Sequence, residues 1–286
     1  MSEGLEVTGL VTDFETRRSS IRALHGVSFE VGESEIVGIV GESGSGKSTV
    51  VRSIIKLLMP PGRVTEGHVD FFGRSLLDMR ERDLRAIRGK EIGFVAQNPF
   101  SALNPVLRIE RQFRNIAKAH GVDRGNQTRV HAIELLDATG VKDPDRVIDG
   151  YAHELSGGMA QRVVIAMALF LNPRLVIADE PTTALDLTVQ RQVLDTLTRL
   201  TSGSGRSMLI VTHDLGVVAN YCDRVLVMYQ GRLVEQGPVS RVFVTPEHEY
   251  TASLLESVVR PDAAPPGGTA TIATAAGSVS SVDSAS

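Results

Sequence analysis

Eight consecutive residues, Gly41, Glu42, Ser43, Gly44, Ser45, Gly46, Lys47 and Ser48, carry the densest chemistry in the chain, and Thr49 follows them. They fit the pattern G-x-x-x-x-G-K-[ST]. A phosphate group needs many donors within a small radius, and glycines let backbone N–H groups approach because no Cβ stands in the way. Lys47 brings a positive charge to the β- and γ-phosphates, and the Ser48 hydroxyl is a ligand for Mg²⁺. Two acids, Asp179 and Glu180, end the apolar run at 175–178. Neighbouring strand residues point to opposite sides, so the two carboxylates have separate tasks. Asp179 is placed to support the metal, and Glu180 to polarise a water that attacks the γ-phosphate. His213 closes the run at 208–212 and Gln97 follows the run at 92–96, so both belong to strand ends as well.

The elements that must position these groups are legible around them. The short β-branched run at 35–40 reads as a buried strand, and the helical spacing of 48–59 aims a helix N-terminus at the phosphates. Strand–helix alternation returns over about 161–228, which predicts parallel βαβ units whose carboxyl ends share one ligand-binding edge. Residues 1–34 read as antiparallel strands, clearest at 5–11 and 27–31. Residues 98–160 lack strand patterning and carry helical stretches near 106–120 and 127–138, so they read as an inserted helical lobe. The run 224–235, broken at Gln230-Gly231, predicts a hairpin, with helices beyond it to about 259. The expected fold is α/β: a P-loop core with a parallel sheet, an N-terminal antiparallel β subdomain and the inserted helical subdomain, together spanning 5–259. Ala, Ser, Thr, Gly and Pro supply 21 of the last 26 residues, so 260–286 is expected to be a disordered tail with no catalytic role.

Composition removes several function classes. The net charge is −4 and the pI about 6.0, which gives no electrostatic case for nucleic acid. There is no signal peptide, and no apolar run reaches the roughly 20 residues that span a bilayer. A transport role would need separate membrane subunits. Cys222 is the only cysteine, in an apolar context, and reads as a small buried hydrophobe. The histidines other than His213 read as structural, and no pair has metal-ligand spacing.

Leu155-Ser156-Gly157-Gly158-Met159, together with Gln97, Ala184-Leu185-Asp186 and His213, resembles the nucleotide-binding subunit of ATP-binding cassette (ABC) transporters over about residues 5–258. In that family Ser156, Gly157 and Gly158 would open a helix facing the γ-phosphate of an ATP held by a second subunit. Small residues at a helix N-terminus do make an anion site. The resemblance therefore implies a dimer with ATP and Mg²⁺ sandwiched between subunits, the partner being a paralogue or a second copy. It also implies that Gln97 contacts Mg²⁺ or the attacking water, that Asp186 bridges the two sites, and that Phe14 stacks on adenine. Phe14 as an ordinary core residue is the other reading.

The segments from Gln97 to Pro105, Leu155 to Arg162, Gly231 to Gly237 and His248 to Leu255 resemble the oligopeptide/dipeptide/nickel importer branch more closely. Ala160 stands where that branch more often has Arg, and a single cysteine rules out the iron–sulfur cluster of many members. The branch implies two integral membrane permease subunits, an extracytoplasmic solute-binding protein, and a place on the cytoplasmic face of the cell membrane. The cargo would be peptides or a related solute such as nickel. A soluble ABC ATPase of a non-transport assembly, such as a carbon–phosphorus lyase accessory subunit, is the alternative. A nucleotide-gated module that barely hydrolyses is a third.

Overall fold

The computed structural model describes residues 4–15, 19–183, 185–202 and 205–259. The tail expected at 260–286, and Ala184 of the Ala-Leu-Asp run, lie outside them. Two sheets organise the chain. The first is antiparallel, in the order β2-β1-β4, built from β1 (Gly4–Glu15), β2 (Ser20–Gly32) and β4 (Gly62–Phe71). The second has six strands in the order β5-β6-β7-β3-β8-β9. These are β3 (Ile36–Val40), β5 (Ile92–Val95), β6 (Leu175–Asp179), β7 (Ser207–Val211), β8 (Arg224–Tyr229) and β9 (Arg232–Pro238). All run parallel except β9, which returns antiparallel to β8. The turn between β8 and β9 puts both Gln230 (φ 46°) and Gly231 (φ 74°) at positive φ, the geometry of a tight hairpin.

The central strands are apolar on both faces because both faces are covered. Along β7, Met208 and Ile210 face one core while Leu209 and Val211 face the other; along β6, Val176 and Ala178 oppose Leu175 and Ile177. One of these cores lies between the antiparallel sheet, the phosphate-loop helix α1 (Lys47–Ile54) and the central sheet. The opposite core joins the sheet to the helical segment. That segment carries α3 (Pro99–Ala102), α4 (Ile109–Ala119), α5 (Asn126–Ala138), α6 (Pro144–Asp149) and the start of α7 (Gly157–Leu169). Between Asn98 and Ala160 there is no strand, only an isolated bridge from Arg108 to Tyr151. The remaining helices are α2 (Glu81–Ile87), α8 (Leu187–Thr201), α9 (Leu215–Tyr221), α10 (Val239–Val242) and α11 (Glu249–Val259).

Helix α2 has no counterpart in the sequence expectation, and three further features differ from it. Helix α1 stops at Ile54 instead of running to 59. Lys56 takes φ 49°, Lys56 N–H bonds Ser53 O at 3.1 Å and Leu57 N–H bonds Arg52 O at 2.8 Å, which is a Schellman closure. Strand β4 has no counterpart in the expectation; it is an edge strand, half of its residues exposed, and its Gly-, Glu- and His-containing sequence lacks an apolar alternation. Strands β1 and β2 run several residues beyond 5–11 and 27–31, held together by antiparallel pairing through to Glu15 and Ser20.

Candidate nucleotide site

The phosphate loop leaves the C-terminal end of β3, the strand flanked by β7 and β8 in the sheet. Gly41 has φ 149°, and a Cβ there would stand 2.1 Å from Met228 O, so only glycine lets the loop pass β8. Helix α1 starts directly after Gly46 and has no acidic residue in its first turn. An open cleft of about 720 Å³ lies over the loop, lined by Ser43, Gly44, Gly46, Lys47, Ser48 and Thr49 and by Gln97 and Glu180 from the next strand ends. Gly41, Glu42 and Ser45 build the loop from behind and do not line the cleft. Ser45 binds through its backbone, its carbonyl accepting from Gly231 N–H at 2.9 Å.

Lys47 is only 4 % exposed. Its ammonium donates to Gly41 O and Glu42 O, both at 2.8 Å. Burial pushes the ammonium below the ordinary lysine value, against the raising pull of Glu180, Asp179 and Glu42. Such a charge, held by neutral carbonyls, is ready to exchange them for phosphate oxygens.

Asp179 ends β6, fully buried, and the Ser48 hydroxyl donates to its Oδ1 at 2.7 Å. Arg52 takes the other oxygen at 3.3 Å. Arg52 lies one helical turn beyond Ser48, so α1 presents hydroxyl and guanidinium on one face. Among the described residues no cluster of three or more His, Cys, Asp or Glu is arranged around a metal. A hydroxyl, one carboxylate and an amide are nonetheless an all-oxygen set that fits Mg²⁺, which takes one or two carboxylates and fills its shell with water and substrate phosphates.

Glu180, next along the chain, sits in the left-handed region with φ 47°. That conformation costs a non-glycine residue about 1–3 kcal/mol and recurs where function demands it. Surrounding bonds enforce it. Glu180 N–H donates to Val211 O at 2.9 Å, and the side-chain Oε2 accepts from Gln97 Nε2 at 2.9 Å and from Thr183 Oγ1 at 2.8 Å. His213 Nδ1 stands 3.6 Å from Glu180 Oε1, with the imidazole 58 % exposed. Four strand ends, those of β3, β5, β6 and β7, thus bring Lys47, Gln97, Asp179, Glu180 and His213 to one edge.

The family model described as ABC transporter matches residues 24–183. The chain is 45% identical over 255 residues to the oligopeptide transport ATP-binding protein OppD of Bacillus subtilis, covering 89% of this chain and 71% of the relative. The chain belongs to the ABC transporter family. A putative peptide import ATP-binding protein of Brucella melitensis is 48% identical over 262 residues, 90% of this chain and 78% of that one. Among solved structures, the dimeric ATP-binding cassette MJ0796 in a post-hydrolysis state with ADP and Pi superposes with a TM-score of 0.73 at 30% identity, over 82% of this chain and 98% of that one. The chain is an ATPase of the ABC family.

In this ABC ATPase the family signature lies apart from the cleft. Ser156 caps α7, its Oγ accepting from Met159 N–H at 3.4 Å, and Gly158 abuts Val189 in the first turn of α8. Asp186 caps α8, its Oδ1 accepting from Thr188 N–H at 3.1 Å and Val189 N–H at 3.0 Å. Ser156, Gly157, Gly158 and Asp186 line no part of the cleft over Lys47. Phe14 is half-buried at the end of β1, its ring against Gly62. It does not line the cleft; Ile21, its directly paired neighbour on β2, does, with 60 % of its surface exposed. Opposed residues of an antiparallel pair share a face, so Phe14 backs the apolar wall that Ile21 offers. The sequence reading missed Ile21 and Arg52. Only Arg52 carried a local signal, its four-residue spacing from Ser48.

Proposed function

We propose that this chain is the ATP-hydrolysing subunit of a binding-protein-dependent importer for peptides or a related small solute. The reading rests above all on the convergence of Lys47, the Ser48–Asp179 pair, the Gln97–Glu180 pair and His213 at one sheet edge over an open cleft. The peptide-transport names of relatives about 45% identical support the cargo class. In the proposed cycle, backbone N–H groups of the loop and the N-terminus of α1 cradle the phosphates. Lys47 leaves Gly41 O and Glu42 O for the β- and γ-phosphates. Ser48, Asp179 and Gln97 would hold Mg²⁺, which neutralises charge on the phosphate oxygens. Glu180, oriented by Gln97 and Thr183, accepts the proton of a water in line with the β–γ bridge, and His213 donates toward the γ-phosphate as that bond breaks. Ile21 offers the wall for the adenine, with Phe14 supporting it from the paired strand.

Ser156, Gly157 and Gly158 serve the γ-phosphate of a second ATPase subunit, a paralogue or another copy, and Asp186 bridges the two sites. The helical segment 98–160 docks on two membrane permeases at the cytoplasmic face, and an extracytoplasmic solute-binding protein delivers the cargo. No described helix is long and apolar enough to cross a membrane, so the permeases supply the crossing. The soluble, carbon–phosphorus lyase type of reading draws no support from relatives named for transport.

The decisive test is Glu180→Gln. ATP turnover should fall roughly 100-fold or more, as expected for loss of a general base, with ATP affinity retained. Turnover near the wild-type rate would remove Glu180 from the base role. Copurification of tagged chain with two polytopic proteins from solubilised membranes tests the importer assembly; recovery with soluble enzymes alone would sink it.

A further inference from the structure

The phosphate loop is held from outside by a residue 208 positions later in the chain. Glu42 N–H donates to the hydroxyl of Tyr250 at 2.9 Å. Tyr250 belongs to α11, and its ring lies on that of Tyr229 with centroids 4.2 Å apart. The start of α11 is itself fixed. The buried carboxylate of Glu235, from β9, accepts from Glu247 N–H at 2.9 Å and His248 N–H at 3.1 Å, and His248 Nδ1 accepts from Tyr250 N–H at 3.1 Å. Leu254 and Leu255 anchor the helix in a core that contains Val40, the residue before the loop, and Leu215, two residues after His213.

The peptide between Gly41 and Glu42 is therefore gripped at both ends. Its N–H is held by Tyr250, and its carbonyl, that of Gly41, receives the Lys47 ammonium at 2.8 Å. A peptide is planar and rotates as a unit, so the bond to Tyr250 fixes where that carbonyl points and hence where Lys47 rests. We infer that Tyr250 is a positioning residue of the nucleotide site: its hydroxyl sets the Gly41–Glu42 peptide plane and, through it, the phosphate loop and Lys47. This gives the His248-Glu-Tyr-Thr-Ala-Ser-Leu-Leu255 segment a physical task. It fastens α11 to the loop through one hydroxyl, while Glu235 and Tyr229 hold that hydroxyl in place. When Lys47 turns to the phosphates it gives up its bond to Gly41 O, and Tyr250 alone then maintains the plane.

The inference rests on the phosphate loop being the ATP site, as proposed above, and the test separates the two. Tyr250→Phe keeps the ring on Tyr229 and the core packing and removes only the acceptor. A net hydrogen bond of ordinary strength corresponds to a change of about 2- to 10-fold. We expect KM and Kd for ATP to rise by about that factor with kcat unchanged. Melting temperature without nucleotide should fall by no more than a few degrees, the cost of one exposed hydrogen bond, and amide hydrogen exchange should speed up in a peptide covering residues 41–46. Lys47→Ala is run in parallel and should abolish ATP binding. If Lys47→Ala binds ATP like the wild type, the loop is not the site and both readings fall. If Lys47→Ala loses binding while Tyr250→Phe matches the wild type in KM and in exchange, the positioning role alone falls. A fall in melting temperature well beyond a few degrees, with exchange speeded across α11 and β9 as much as in 41–46, likewise reduces Tyr250 to a packing residue.

Discussion

Gly158 illustrates how one missing side chain is decided by packing. It occupies the second position of α7, where alanine is the better helix former by up to about 1 kcal/mol. A Cβ at Gly158, however, would stand 2.7 Å from Val189 Cγ1. Val189 is β-branched and on a helix, so its χ1 has little freedom to retreat. Overpacking of this kind costs about 1–3 kcal/mol and outweighs the propensity gain. Gly158→Ala should therefore destabilise by about 1 kcal/mol net, and Gly158→Ala/Val189→Ala should recover the loss; chemical denaturation of the three chains checks it. A stabilised Gly158→Ala single variant would mean that α7 and α8 are not packed this closely. At this scale the sequence was most legible where function is local. Lys47 and Ser48 lie within one eight-residue pattern, and Asp179 and Glu180 are adjacent. Ile21 and Tyr250 reach the loop only through strand pairing and helix docking, which no local spacing announces.

Among elements, the strands buried on both faces were the ones the sequence disclosed. β3, β6 and β7 are buried throughout and apolar but for Asp179 at the end of β6 and Ser207 at the start of β7, because both surfaces are covered. β4 stayed hidden because a half-exposed edge strand needs no apolar repeat. The end of α1 stayed hidden because its Schellman closure uses Lys56, not glycine, at positive φ. The junction between the two sheets depends on a pairing that was equally invisible. Arg74, just after β4, forms a two-pronged ion pair with Glu91, just before β5; one prong is 2.9 Å long. The Glu91 carbonyl meanwhile accepts from Arg174 N–H at 2.9 Å and Leu175 N–H at 3.1 Å. The Arg74 guanidinium holds the Glu91 carboxyl below the usual glutamate value, against the raising effect of burial. A depressed folded-state pKa means stability that is present above the unfolded value of 4.5 and lost as pH falls through the lower folded value. With Arg74 38% exposed, the pair is worth about 1 kcal/mol after solvent screening. Arg74→Met should lower the melting temperature near neutral pH, and the gap to wild type should close as the pH drops below 4.5. A gap that persists unchanged in acid would assign the effect to the guanidinium over the Phe71 ring, 5.7 Å from its centroid, instead of to the ion pair.

For the whole molecule, the separation of two sets of chemistry sets the assembly. The cleft over Lys47 is lined by its ammonium, the Ser48 hydroxyl and the Glu180 carboxylate, and among the described residues it is open on the solvent side. The N-terminus of α7 is the converse: an exposed Ser156 followed by two glycines, no acid in the first turn and no lysine of its own. Asp186 and Leu187, the latter 83 % exposed, stand beside it at the start of α8. One subunit carries both halves yet does not join them, so two subunits related by a two-fold axis would complete two sites by the same contact. In the Glu180→Gln chain, for which slow hydrolysis is the outcome expected above, ATP should double the mass of the pure chain in light scattering, while ADP should not. Lys47→Ala in that background should abolish the doubling by removing ATP. Ser156→Arg should abolish it differently, because a bulky cap on α7 leaves the monomer's own ATP affinity intact and costs the fold only about 1 kcal/mol of capping. A dimer that forms regardless of nucleotide, or that survives Ser156→Arg, would place the interface elsewhere. A pure chain that stays monomeric with ATP but doubles on adding a related ATPase would assign the second half of the sandwich to a paralogue.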